Sequence, residues 1–235
     1  LIPKSATARA IVGQVVVVEL TEPPSLYGQP VGRIKEVLGE VDDPGMEIEI
    51  AVRKYGVPHE FSAACLDLTR SLPDKVRAQD KKDRVDLTDV PLVTIDGEDA
   101  RDFDDAVYAE KLSGKKGWRI LVAIADVSHY VKLNSYLDLE AKERGNSVYL
   151  PNLVIPMLPE QLSNNLCSLK PNVDRLCLTV EIIVNNKGVK QSHKFFQSII
   201  NSKQRLTYKQ VEDVINKNNS SHLDTNILKV INYLH

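Results

Sequence analysis

Leu92-Val93-Thr94-Ile95-Asp96-Gly97-Glu98-Asp99-Ala100-Arg101-Asp102-Phe103-Asp104-Asp105-Ala106-Val107-Tyr108 is the stretch on which the reading of this chain turns. It opens with an apolar run from Leu92 to Ile95, the pattern of a buried strand, which ends on Asp96. A second apolar segment begins at Ala106. The intervening loop and its borders carry six carboxylates: Asp96, Glu98, Asp99, Asp102, Asp104 and Asp105. Like charges at this density repel one another, and burying a carboxylate without a partner is costly. A divalent cation relieves both problems. Mg²⁺, or Mn²⁺ as a substitute, takes oxygen ligands, accepts several carboxylates and keeps positions for water or phosphate.

A solvated acidic loop is the ordinary fate of a charge run. Here Phe103 and Ala106-Val107 interleave apolar groups with the acids, and Asp96 follows directly on a strand. That pattern places the loop against a core. A calcium loop of the EF-hand kind needs a glycine at a fixed place within its acids and a glutamate closing the loop. The nearest frame, Asp102-Phe103-Asp104-Asp105, has no glycine where one is required.

Thr94 to Ala106 strongly resembles the catalytic motif of the ribonuclease II / ribonuclease R (RNB) family, and the ribonuclease R branch more closely. Further matching blocks are Ser147-Val148-Tyr149-Leu150-Pro151, Ile155-Pro156-Met157-Leu158-Pro159 and Leu162-Ser163-Asn164-Asn165-Leu166-Cys167-Ser168-Leu169. The resemblance implies a processive, Mg²⁺-dependent 3′-to-5′ exoribonuclease that hydrolyses single-stranded RNA to nucleoside 5′-monophosphates. It assigns the family's four functional aspartates to Asp96, Asp102, Asp104 and Asp105. Of these, Asp96, Asp102 and Asp105 are the expected metal ligands, and Asp104 either shares a metal or orients the attacking water. Tyr149 is expected to stack on the terminal base, a contact indifferent to base identity. The family also places an arginine, a further acid, a base-stacking aromatic and an S1 barrel downstream of this chain's last residue. The chain is therefore expected to be an internal fragment, inactive or very weak alone. The rival reading, a non-catalytic OB-type RNA-binding or structural module, leaves the four aspartates unexplained.

Composition sets broad bounds. With 30 Lys and Arg against 32 Asp and Glu in 235 residues, no global basic charge points to nucleic acid, although a channel can be locally basic. Cys65, Cys167 and Cys177 form no Cys-x-x-Cys pair, and their odd count suits a reducing compartment. No membrane-length apolar run or signal-like segment appears, so a cytoplasmic monomer is expected.

Taken in order, the chain reads as short strands followed by mixed elements. Ala10 to Leu20, Val31 to Gly39 and Met46 to Val52 read as strands, separated by Pro23-Pro24, Tyr27-Gly28-Gln29-Pro30 and Asp43-Pro44-Gly45. Pro73 to Asp89 is dense in mixed charge and reads as a solvated linker, part helical. Trp118 to Val131 reads as a central strand buried on both faces. Asp126 within it either supports a metal shell or caps the strand end, and His129 reads as structural. Tyr136 to Arg144 reads as a helix closed by Gly145, and Leu158 to Leu169 as a short helix whose Ser163, Asn164, Asn165 and Ser168 serve phosphate binding or simple capping. Arg175 to Val184 and Val189 to Ile200 form a hairpin around Asn185-Asn186-Lys187-Gly188, and Ser113 to Gly117 makes another turn. Thr207-Tyr208-Lys209-Gln210 has capping-box form, and Leu223 to Leu234 keeps helical spacing. The expected fold is α+β and multidomain. Residues 1–72 form an OB-type, cold-shock-like barrel segment, residues 73–88 the charged linker, and residues 89–235 the N-terminal part of an RNB α/β catalytic domain.

Overall fold

The computed structural model describes residues 1–115, 117–216 and 223–235, in two compact units. The first comprises Leu1–Glu60 together with Asn146–Ile155. Its strands β1 (Gln14–Glu22) and β2 (Val31–Glu40) pair antiparallel from Gln14 opposite Glu40 to Glu22 opposite Val31. The expected third strand is a helix, α1 (Met46–Lys54). The alternation of Met46, Ile48, Ile50 and Val52 is compatible with a strand, but local chemistry favours the helix. Gly45 takes a positive φ of 85° just before it, Glu47 and Glu49 sit in the first turn, and Arg53 and Lys54 in the last. These charges complement the helix dipole. Arg53 also pairs with Glu49 one turn earlier and with Glu36 at 2.6 Å. A small hairpin, β7 (Val148–Leu150) and β8 (Leu153–Ile155), belongs to the same unit.

The second unit, Phe61–Gly145 with Pro156–His235, is built on a seven-stranded sheet. In chain order its strands are β3 (Val85–Leu87), β4 (Val93–Asp96), β5 (Asp105–Lys111), β6 (Trp118–Ala125), β9 (Asp174–Val184), β10 (Lys190–Asn201) and β11 (Gln204–Thr207). Across the sheet they lie in the order β11-β4-β5-β6-β9-β10-β3. β11 runs parallel to β4 and β3 parallel to β10, and the other neighbours are antiparallel. β6 is the central strand, as its apolar run predicts. The run does not continue to Val131, however. The chain turns at Asp126 into a one-turn helix, α3 (Val127–Tyr130). At the other end of β6 only glycine is tolerated at residue 117, where a Cβ would stand 1.9 Å from the Val184 carbonyl oxygen.

One core forms where α2 (Ala63–Arg70), α3, α4 (Tyr136–Arg144) and residues 158–169 contribute Cys65, Tyr130, Leu137, Leu162 and Leu166, packed with Leu121, Ala123 and Leu176 of the sheet. A second core gathers Val93 and Leu206 with Val214 of α5 (Tyr208–Ile215) and Ile227, Val230 and Ile231 of α6 (Thr225–Leu234). The capping box at α5 forms as its pattern predicts: the Gln210 N–H donates to Thr207 Oγ1 (3.1 Å) and the Thr207 N–H to Gln210 Oε1 (2.8 Å). Gly145 closes α4 with a φ of 76°. Lys116, within the expected Ser113 to Gly117 turn, lies outside the described residues.

The charged segment before β3 is not a solvated linker. It holds a short 3₁₀ turn (Ala78–Lys81) and the edge strand β3, and two of its charges are buried. Arg84 reaches Asp126 at 2.6 Å with both side chains nearly out of water, at 4% and 5% exposure. His129 sits beside them, its Nε2 3.3 Å from Asp80 Oδ1 and its Nδ1 3.4 Å from the Arg84 guanidinium, while Arg77 grips Asp80 through two bonds of 2.9 Å. Composition alone reads such residues as solvated because unpaired charges stay in water; paired, they can be enclosed. Asp126 is therefore an ion-pair partner at the end of β6, and His129 is structural.

Candidate metal centre

β4 and β11 run parallel, with Thr207 opposite Asp96, so Asp96 stands at the carboxyl end of a parallel strand pair, a position where backbone loops commonly build sites. Asp105 opens the neighbouring β5, opposite Ile124 of β6. The loop from Gly97 to Asp104 must therefore start and finish at the same end of the sheet, which gathers Asp96, Asp102, Asp104 and Asp105 there. Phe103 is the loop's anchor: its side chain is buried in the first core between the two flanking aspartates. Its hydrophobic burial explains why this charge run is folded rather than loose.

Backbone bonds fix the loop at its far end, and a side chain holds its beginning. The Ala125 N–H donates to the Asp104 carbonyl (2.9 Å), and the Leu169 N–H to the Phe103 carbonyl (2.8 Å). The Arg205 guanidinium donates through Nη2 to the Gly97 carbonyl and, at 2.7 Å, to the Glu98 carbonyl, and it lies 5.6 Å from the centre of the Phe103 ring. Arg205 was not singled out by sequence, since more than a hundred residues separate it from the carbonyls it holds and no local pattern marks it.

The carboxylates perturb one another. Burial and then the Asp105 charge push Asp96 above the ordinary aspartate range. Asp104 is open to solvent on one side, yet the protein around it desolvates the carboxyl, and Asp102, Asp105 and Asp96 add repulsion, which carries it to about 6. One oxygen of Asp96, Oδ2, is buried without a hydrogen-bond partner. Among the described residues no three His, Cys, Asp or Glu side chains are already drawn tightly enough together to hold an ion. What fits a hard divalent cation is the donor type and the charge: all-oxygen ligands, a buried Asp96 oxygen without a partner, and mutual repulsion that Arg205 offsets at Asp96 and that a cation would quench further.

The remaining expected site residues divide. Tyr149 lies on β7 in the first unit, exposed, opposite Val154. Ser168 is fully buried and bonded to the acidic loop's main chain, and Asn165 bonds Arg175 and the Asp74 carbonyl, so both are built into the fold rather than presented to a phosphate. All three cysteines are free and buried, and no helix among the described residues is long and apolar enough to cross a membrane.

Comparison with known proteins places the chain in a family. A cold shock domain model matches residues 1–62 and an RNB domain model residues 84–235. Ribonuclease R of Vibrio cholerae is 50% identical over 215 residues, and that of Escherichia coli (strain K12) 51%; each match covers 92% of this chain and 26% of the relative. The chain thus spans about a quarter of the length of these relatives. Among solved structures, Mycoplasma genitalium RNase R in complex with double-stranded RNA superposes with a TM-score of 0.92 at 30% identity, over 99% of this chain and 41% of that one. Yeast Ssd1, a pseudonuclease, shares the fold at a TM-score of 0.70 and 19% identity, over 94% of this chain and 29% of that one. Since the RNB model accounts for well over half of its residues, the chain belongs to the RNB family, with a cold-shock-type segment preceding the N-terminal region of the RNB domain.

Proposed function

We propose that the protein containing this chain is a metal-dependent, processive 3′-to-5′ exoribonuclease that hydrolyses single-stranded RNA to nucleoside 5′-monophosphates. The observation that carries the reading is the convergence of Asp96, Asp102, Asp104 and Asp105 on one sheet end, with a buried unpartnered oxygen on Asp96 and a carboxyl raised to about 6 on Asp104. Fold likeness by itself does not carry it, because the same fold serves a pseudonuclease. The relatives' names and their RNA-bound structures support RNA as the substrate.

In this reading Asp96, Asp102 and Asp105 hold Mg²⁺ or Mn²⁺. When bound, the ion supplies charge neutralisation at the scissile phosphate and acidifies a water. Asp104, next in sequence to Asp105, would orient the attacking water and accept its proton. Tyr149 offers an exposed ring for stacking on a terminal base. Selection of RNA over DNA rests on contacts to the 2′-hydroxyl. The free buried thiols agree with a cytoplasmic setting, and the protein acts as a monomer.

The test is a gel with 5′-labelled single-stranded RNA, run with Mg²⁺ and with EDTA and same-sequence DNA as controls. The full-length protein should shorten RNA progressively from its 3′ end. The 235-residue chain, which spans about a quarter of the length of these relatives, should do so at best very slowly. Internal cleavage or equal attack on DNA by the full-length protein would overturn the exoribonuclease reading. Rapid, EDTA-sensitive trimming by the chain itself would overturn that expectation.

Metal binding has its own signature. Calorimetry should detect Mn²⁺ binding to the chain, weakened in Asp96→Asn and Asp105→Asn; equal affinity in wild type and Asp96→Asn would remove that site. Asp96 and Asp104, both held above the ordinary aspartate range, set the pH dependence. A carboxyl held above its ordinary value favours the metal-free fold at acid pH, and that contribution is lost as pH rises through about 6. Metal binds the deprotonated form, so protons compete with it below that pH. The rise in melting midpoint on adding Mn²⁺ should be larger at about pH 7.5 than at about pH 5. Equal rises would separate the raised carboxyls of Asp96 and Asp104 from the metal site.

A further inference from the structure

Two polar residues outside the acidic loop have been given no part in the chemistry. Ser168 follows the π-helical turn Leu162–Leu166, closed by the bond from the Cys167 N–H to the Leu162 carbonyl (2.9 Å). Its hydroxyl accepts the Phe103 N–H (3.1 Å) and donates to the Arg101 carbonyl (2.8 Å). The next residue, Leu169, donates its N–H to the Phe103 carbonyl (2.8 Å). Three bonds from two consecutive residues thus bracket the backbone that runs through Asp102 into Asp104.

Behind Ser168 stands Arg175, 3% exposed. Its Nε donates to the Ser168 carbonyl (2.8 Å), its Nη1 to the Asp174 carbonyl (3.0 Å) and its Nη2 to Asn165 Oδ1 (3.2 Å). All three acceptors are neutral. Taking a guanidinium out of water against neutral acceptors is an expensive way to fill a core, and a hydrophobic residue would do so at less cost. What the guanidinium provides is a rigid planar fork that fixes several acceptors at once. Here the fork ties β9 to the π-helical turn, and the turn to the acidic loop.

We infer that Ser168 and Arg175 are positioning residues for the aspartate site, a two-step latch that sets the spacing of the Asp102 and Asp104 carboxylates by clamping the main chain on either side of Phe103. The inference rests on the reading of the four aspartates as the metal and proton site. Outer partners that orient ligands commonly change metal affinity or activity by about 10–100-fold when removed.

The test uses Ser168→Ala and Asn165→Ala, the latter a milder change that removes one of the bonds anchoring Arg175. In the full-length protein Ser168→Ala should lower kcat by about 10–100-fold with KM little changed. In the chain it should weaken Mn²⁺ binding and speed hydrogen exchange of the Phe103 amide, with a melting midpoint lowered by a few degrees as the Phe103 N–H loses its acceptor. Asn165→Ala should show the same pattern to a smaller degree. Unchanged kcat, Mn²⁺ affinity and Phe103 exchange in Ser168→Ala would overturn the latch. Should Ser168→Ala fail to fold, Asn165→Ala decides: lowered kcat at constant KM supports the inference, and wild-type kcat overturns it. Failure of the functional reading is separable. If Asp104→Asn left RNA trimming intact, that reading would fall, while Mn²⁺ affinity and Phe103 exchange would still judge the latch.

Discussion

Asp104→Asn in the full-length protein should slow RNA trimming by about 10²–10⁴-fold, the range typical of a lost general acid–base group, while RNA binding stays largely intact. Asparagine has nearly the shape of aspartate but can neither accept a proton nor carry charge. The main chain at this position is held independently, through the bond from the Ala125 N–H to the Asp104 carbonyl, so the loop should keep its path. The same substitution should stabilise the metal-free chain at neutral pH. Asp104 sits among Asp102, Asp105 and Asp96, which together with burial raise its carboxyl to about 6, so ionising it above that pH works against folding. Removing the charge removes the conflict. The decisive pair of measurements is single-turnover RNA cleavage and a melting curve in EDTA at about pH 7.5. Loss of activity together with a lowered melting midpoint would indicate a damaged fold and count against the assigned role.

The largest expected effect on stability is elsewhere, at the buried pair Arg84 and Asp126. Arg84→Ala alone should cost about 3–5 kcal/mol, because Asp126 would be left as an unpaired carboxylate away from water. The geometry is close, 2.6 Å, and Arg84 also donates to the Asp80 carbonyl (3.1 Å). Replacing both partners by hydrophobic residues, Arg84→Met with Asp126→Leu, should cost less than either single truncation, since no uncompensated charge remains. Urea denaturation of the single and paired variants checks this, with the midpoints read on the second unit's transition. A paired variant less stable than Arg84→Ala would contradict the account. The pH dependence has a definite sign. Burial opposes ionisation of Asp126, and the bonds from Arg84 and Ser128 outweigh it, leaving its pKa below the ordinary value. Its contribution to stability is therefore present at neutral pH and lost as pH falls into the acid range.

Much of this molecule is legible in one dimension because its strongest signals are local. The run Leu92 to Asp96 announces a buried strand, since apolar, β-branched residues without helical spacing have few other uses. The Thr207 capping box, the Gly145 helix end and the Asn185 to Gly188 turn follow from side chains that satisfy neighbouring backbone groups within a few residues. Crowding of six carboxylates marks the candidate centre for the same reason, because repulsion at short separation needs no knowledge of the fold.

What only the tertiary structure decided is how distant parts close on those local features. The alternation of Met46, Ile48, Ile50 and Val52 is equally compatible with two periods, and ion pairing of Arg53 with Glu36 on β2 helps settle it as a helix. The charges from Arg77 to Arg84 read as solvated until Asp126 and His129 arrive from β6 and α3 to pair with them. Ser168, Arg175 and Arg205 look like ordinary polar residues in sequence, yet they hold the acidic loop from positions far along the chain. The physical reason is common to all three cases. A buried charge or hydroxyl takes its meaning from its partner, and partners separated by tens of residues meet only after the sheet order is fixed. Sequence marked the carboxylates of the candidate centre; the sheet, with Asp96 ending β4 and Asp105 beginning β5, brings them to one place.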